Sequence, residues 1–202
     1  MKKKFYLFLI LGIFVLAIIG ILLYWGFSED SDRVTPGVRF EAPKHYVIKD
    51  GPDGKIVENK HAGITLKAPE GWSVEKKEIG PDEWIVNFDS PDITTNEAGF
   101  LASGCGFSVW IEYHEATFRG AVDRINDPQR YSQEISGNYE VIDMAGHKAL
   151  KRILSRPEWG AAVAIQLPFQ NKVYSFDTLL LPGEKERCAA LMDEFLADIS
   201  IY

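Results

Sequence analysis

The sequence predicts an α+β fold: a central antiparallel β-sheet flanked by helices, preceded by one N-terminal transmembrane helix. Three observations predict it. Runs of alternating apolar and polar residues follow one another, joined by short turns rich in Gly, Asp and Pro, as in antiparallel hairpins. Two stretches with helical periodicity stand apart from those runs instead of alternating with them, which argues against a βαβ repeat. Residues Phe5–Phe27 form one apolar stretch without a charge or a proline, longer than the roughly 20 residues that cross a bilayer core as a helix.

Lys2, Lys3 and Lys4 precede that stretch, and Glu29, Asp30 and Asp32 follow it. Basic flanks stay cytoplasmic, so the body is expected outside the cytosol. The far end is bulky, with Tyr24, Trp25 and Phe27, and lacks the small-x-small pattern of a cleavage site. A single-pass signal-anchor is therefore expected at residues 5–27, after a basic cytoplasmic tail at 1–4, with membrane lipid as its partner. Residues 28–43, polar and interrupted by Pro36, Gly37 and Pro43, read as a linker. Residues 44–202 read as one extracytoplasmic domain.

Within that domain, Tyr46–Lys49 and Lys55–Glu58 flank the turn residues Asp50–Gly54, a hairpin. Ile64 and Leu66 alternate with Thr65 and Lys67, a half-buried strand, and Pro69–Gly71 turn the chain so that Trp72 packs back. Glu83–Phe88 sets Trp84, Val86 and Phe88 on one face, and Asp89-Ser90-Pro91-Asp92 ends it. Phe107–Tyr113 is a strong apolar run, expected at the centre of the sheet. Glu115–Asn126 carries Phe118, Val122 and Ile125 at helical spacing and stops before Pro128. Tyr139–Asp143 is expected to pair with Lys148–Leu154 across Met144–His147, and Gly160–Leu167 with Lys172–Leu180. Glu184–Ile199 closes the chain as a helix, acidic at its start, with Leu191, Met192, Phe195, Leu196 and Ile199 as its apolar face.

Several of these segments resemble the PsbP-like domain family, within the broader Mog1/PsbP-like group. They are Gly63-Ile64-Thr65-Leu66 with Ala68-Pro69-Glu70-Gly71-Trp72, the strand ending Phe88-Asp89-Ser90-Pro91, the run Val141–Ala149, the strand Lys172–Phe176, and the last helix with Phe195 and Ile199. The likeness spans residues 61–201. It implies an α-β-α sandwich in a bacterial, membrane-anchored member. Plant members support the oxygen-evolving centre of photosystem II, whereas bacterial chains of this type look like extracytoplasmic modules without a known reaction. The resemblance thus implies a module rather than a chemistry.

The chain carries a net charge of −7, and its three leading lysines leave the remainder more acidic still. That balance argues against a basic face for binding nucleic acid, since phosphate contacts need clustered Lys and Arg, and no nucleic-acid partner is expected. The histidines, His45, His61, His114 and His147, show no HxH or HxxxH spacing, and no CxxC occurs. No metal site and no cofactor are therefore expected. His114 and Glu115, with Asp82, Glu83 and Asp89, read as solvated loop-end groups rather than a cation site. G-x-S-x-G, P-loop and dinucleotide signatures are absent, so no catalytic residue is assigned. Cys105 enters a strand after Gly104, and Cys188 lies on an apolar helix face. Outside the cytosol these form either a disulfide or two buried thiols. Trp72, Trp84 and Trp110 sit at packing positions. Trp159, beside Arg156 in a loop between strands, is the candidate contact for a partner.

The functional expectation is a membrane-anchored extracytoplasmic binding or assembly module, not an enzyme. Its partner is an unidentified protein or small molecule. The alternative is an envelope-associated hydrolase whose site is not visible in sequence.

Overall fold

Alternation decides which way each strand faces. In the strand Gly106–Tyr113, Phe107, Val109 and Ile111 are fully buried while Ser108 and Trp110 between them are half-exposed. The computed structural model describes residues 39–97, 101–113, 119–120, 139–156 and 160–202. Its strands are β1 (Arg39–Phe40), β2 (Val47–Gly51), β3 (Gly54–Asn59), β4 (Ile64–Lys67), β5 (Ser73–Gly80), β6 (Glu83–Asp89), β7 (Thr94–Thr95) and β8 (Leu101–Ser103). They continue as β9 (Gly106–Tyr113), β10 (Tyr139–Met144), β11 (His147–Arg156), β12 (Gly160–Phe169), β13 (Lys172–Leu180) and, after the helix α1 (Lys185–Ala197), β14 (Ser200–Ile201).

The large sheet runs β10-β11-β12-β13-β9-β6-β5, all antiparallel. Tight turns set its registers: Gln170 and Asn171, both with positive φ, close β12 onto β13 with Phe169 opposite Lys172. β6 follows β9 only from Asp89 to Val86. The other end of the same edge is taken by β1, with Arg39 opposite Tyr113 and Phe40 opposite Glu112. That handover carries residue 41 to the end of β9. A smaller sheet, β14-β4-β3-β2, and the pair β7-β8 complete the strands.

One face of the large sheet is apolar and covered. Val86, Phe88, Phe107, Val109 and Phe176 join Val57, Ile64 and Leu66 of the small sheet in a single buried cluster. Phe195 of α1 stacks against Phe88 and Phe107, with centroids 4.9 and 5.3 Å apart. Such ring pairs add about 0.5–1.5 kcal/mol each beyond area burial. Cys188 of α1 is bridged to Cys105, with Cα atoms 5.4 Å apart and a sequence separation of 83. Of the two readings left open by the sequence, the disulfide is the one formed.

Two expectations are corrected. The α-β-α sandwich is not formed: the described residues are mostly antiparallel sheet with one bounded helix, α1, and no sandwich of flanking helices. The physical reason is that the small sheet, whose Val57, Ile64 and Leu66 alternate inward, shares the apolar face with α1. The opposite face carries a polar rank, Glu75, Asn87, Ser108 and Asp177, in register across β5, β6, β9 and β13, which an apolar helix face does not match. The transmembrane helix is the second correction. No helix among the described residues is long and apolar enough to cross a membrane; α1 has only 13 residues and exposes charge along one side. The stretch Phe5–Phe27 itself lies outside the described residues, as does Glu115–Asn126 apart from Arg119 and Gly120, which are helical.

Two predictions follow the core. The intact chain should be lighter by two hydrogens than its reduced form, and the Cys105→Ala/Cys188→Ala variant should lose roughly 2–5 kcal/mol in urea unfolding, because the bridge restrains a long loop in the unfolded chain. Gly63 adopts φ +76, and a Cβ there would stand 2.3 Å from the Tyr202 carbonyl oxygen. Gly63→Ala should therefore cost about 1–3 kcal/mol in the same assay; an unchanged midpoint would show that the β14 contact is dispensable.

Candidate metal centre

Glu41 follows β1 directly. Its N–H donates to the Ile111 carbonyl at 2.9 Å, which extends the β1–β9 ladder and turns the carboxylate inward, where it is 1% exposed. Pro43 then opens a 3-10 turn over Pro43–His45, closed by the His45 N–H on the Ala42 carbonyl. That turn lays His45 back over Glu41, so its Nδ1 meets Glu41 Oε1, the oxygen that also accepts from the Ala42 N–H at 2.9 Å.

His61 arrives from the β3–β4 turn. That turn is held at several points. Asn59 Oδ1 accepts from the Ala62 N–H at 2.9 Å, and the Ala62 carbonyl accepts from Lys172 Nζ at 2.8 Å and from the Tyr174 hydroxyl at 2.5 Å. His61 Nδ1 stands 2.9 Å from Glu41 Oε2. Tyr113, the last residue of β9, donates its hydroxyl to the same Oε2, and its oxygen lies 2.9 Å from His61 Nδ1. Arg39 stands over the Tyr113 ring, 5.2 Å from its centroid.

The electrostatics follow from this packing. Burial alone would push the Glu41 carboxyl up, but the hydrogen bonds from His61, Tyr113 and His45 outweigh it and hold the group below the usual carboxylate range. Burial, then the Glu41 charge, keeps nearby phenols neutral. Tyr46 and Tyr113 are both raised, and Tyr174 is pushed up to about 12.

Glu41, His45 and His61 each offer one ligand atom, all within 4.8 Å of one another. Glu41 Oε2, His61 Nδ1 and the Tyr113 oxygen are mutually within hydrogen-bond reach. Without a metal, the Tyr113 O–H and an Nδ1-protonated His61 both serve the carboxylate. A cation that replaces the Nδ1 protons of His45 and His61 would meet two nitrogen lone pairs and the carboxylate in one small space. Two imidazoles and a carboxylate suit zinc, copper, nickel or ferrous ions better than magnesium or calcium.

A second concavity, of about 560 Å³, lies on the polar face of the large sheet. Asn87, Asp89, Ser108 and Asp177 line it with Thr94 and Thr95. Burial pushes the Asp177 carboxyl up to about 7, with Arg152 pulling partly the other way, and burial together with the Glu75 charge raises Asp89.

The sequence-derived candidates are distributed otherwise. Cys105 and Cys188 are joined in the core. Trp159, His114, Glu115 and the side chain of Arg156 lie outside the described residues. Asp82 sits in an exposed turn, and Asp89 in the polar groove. His147 stacks on Phe169, with centroids 4.2 Å apart. Trp72 is buried against Phe107. Sequence reading missed the Glu41–His45 pair. Its signal, Glu-x-x-x-His around a Pro-led turn, is there, but a search for histidine pairs passes over it. Nothing local marks His61 or Tyr113. The sequence matches no protein-family model and no curated protein.

The Asp177 carboxyl supplies a pH prediction. Its value is raised above the ordinary 3.8, so the folded chain holds this proton more tightly than the unfolded one. The stability it contributes is whole below the ordinary value and is lost as pH rises through about 7. The urea midpoint should therefore be higher at pH 5 than at pH 8, and Asp177→Asn should flatten that difference. A variant that keeps the full difference would place the titration elsewhere.

Proposed function

We propose that this chain is an extracytoplasmic binding module without catalytic activity, and that it binds one divalent transition-metal ion at Glu41, His45 and His61, with Tyr113 beside them. The observation that carries the reading is the convergence of one ligand atom each from Glu41, His45 and His61, all within 4.8 Å of one another, on a buried carboxylate. The Cys105–Cys188 bridge supports an oxidising compartment, since disulfides persist outside the cytosol. The likeness of short motifs to PsbP-like domains supports a module over an enzyme. The apolar Phe5–Phe27 stretch bears on the compartment alone, and fractionation of cells expressing the full chain tests it.

One observation favours a second reading, a metal-dependent hydrolase. The cluster has three protein ligand groups and a side open to solvent, with His61 half-exposed, which is how catalytic zinc is held. The binding reading is preferred because the acid nearest the open side, Glu58, is tied to Lys49 and Lys60 and not free to act as a base.

Calorimetric titration with zinc should give one equivalent per chain. His61→Ala, at a half-exposed position that leaves the core intact, should weaken zinc at least about tenfold. Failure of the wild type to take up zinc, or an unaltered affinity in the variant, rejects the site. Chelator-sensitive turnover of p-nitrophenyl phosphate by the zinc-loaded chain would favour the hydrolase instead.

A further inference from the structure

The cluster has an inner and an outer side. Glu41 closes the inner side, buried to 1% exposure. The outer side opens onto a shallow depression of about 410 Å³, lined by His45, His61, Val47, Lys44, Lys49 and Lys60, with Glu58 at its edge. A further ligand of an ion held by the two imidazoles can reach it through this depression.

Its charge is lopsided. Glu58 is the one acid in the lining, and it is already engaged by Lys49 and, at 3.6 Å, by Lys60. The Lys49 hydrogen bond, ahead of the neighbouring charges, holds its carboxyl below the usual range. Lys44 makes no ion pair with a described residue. With a divalent ion in place, one buried carboxylate and one engaged surface acid stand against two metal charges and three lysines. This rim lies on a chain that is acidic as a whole, with a net charge of −7, so the positive field is local to the mouth of the site. Lysine ammonium groups act as mobile point charges that suit oxyanions.

We propose that the metal-loaded site captures an oxyanion, a phosphate or carboxylate group, whose oxygen completes the ion's coordination while Lys44 and Lys60 neutralise its charge. The inference rests on the metal reading above and names the class of ligand the module holds. It also accounts for why three lysines gather around the cluster, where an empty basic rim beside a cation would only repel it.

The test uses the full chain loaded with Co(II), whose visible absorption reports its ligands. Inorganic phosphate should shift that spectrum saturably. Lys44→Ala/Lys60→Ala should weaken the phosphate response about three- to tenfold, in line with two exposed charges, without weakening Co(II) binding. Loss of two positive charges favours a cation, so an unspecific structural defect would move the metal affinity the other way. Acetate in a parallel titration separates the sources: a response to phosphate alone assigns a phosphate group, and a comparable response to acetate assigns a carboxylate. A Co(II) spectrum indifferent to both anions overturns the inference and leaves the metal site standing. An undiminished phosphate response in the double variant also overturns it. Absence of any Co(II) spectrum before anion is added overturns the metal reading, and this inference with it.

Discussion

A carboxylate taken out of water has to be met by donors, and Glu41 imposes that constraint on this fold. Desolvating such a group costs several kcal/mol. Four donors answer it: the Ala42 N–H, His45, His61 and the Tyr113 hydroxyl. Hydrogen bonds to a charged group contribute roughly 1.5–3 kcal/mol each, enough together to offset the loss, and the depressed carboxyl agrees that they win. The donors come from three places in the chain: the turn after β1, the β3–β4 turn and the end of β9. Meeting one charge therefore ties the entry of the domain, the small sheet and the large sheet to a single point.

The same constraint explains how the site is wet on one side and dry on the other. The apolar face of the large sheet, closed by α1 and the small sheet, supplies the dry side behind Glu41. Tyr174 belongs to both regions. Its ring lies in the core and its hydroxyl holds the Ala62 carbonyl, one residue from His61. One side chain thus links the core to the turn that carries His61. The disulfide fixes the far end of the same core, joining the start of β9 to α1.

Much of the strand order was legible. The hairpins around Pro52–Asp53 and Ala145–Gly146 carry their turn residues openly, and the alternation in Phe107–Tyr113 marks an interior strand of the large sheet. β5 was not legible. Its Glu75, Lys76, Lys77 and Glu78 are exposed on a sheet edge, where charge discourages edge-to-edge pairing and hides the strand from a hydrophobic pattern. Glu41 was not legible either. It falls within residues 28–43, polar and proline-rich enough to read as a linker, yet β1 and the buried carboxylate lie there.

By itself the sequence determined most of the long strands, several of their turns and the closing helix, because those depend on residues within a few positions of one another. It also set both cysteines among apolar neighbours. The tertiary structure alone decided which faces meet, that a second sheet shares the covered face with α1, and that Glu41, His45, His61 and Tyr113 converge. His61 is 20 residues from Glu41 and Tyr113 is 72. A contact at that separation is set by how two sheets pack, and no local pattern of side chains encodes it.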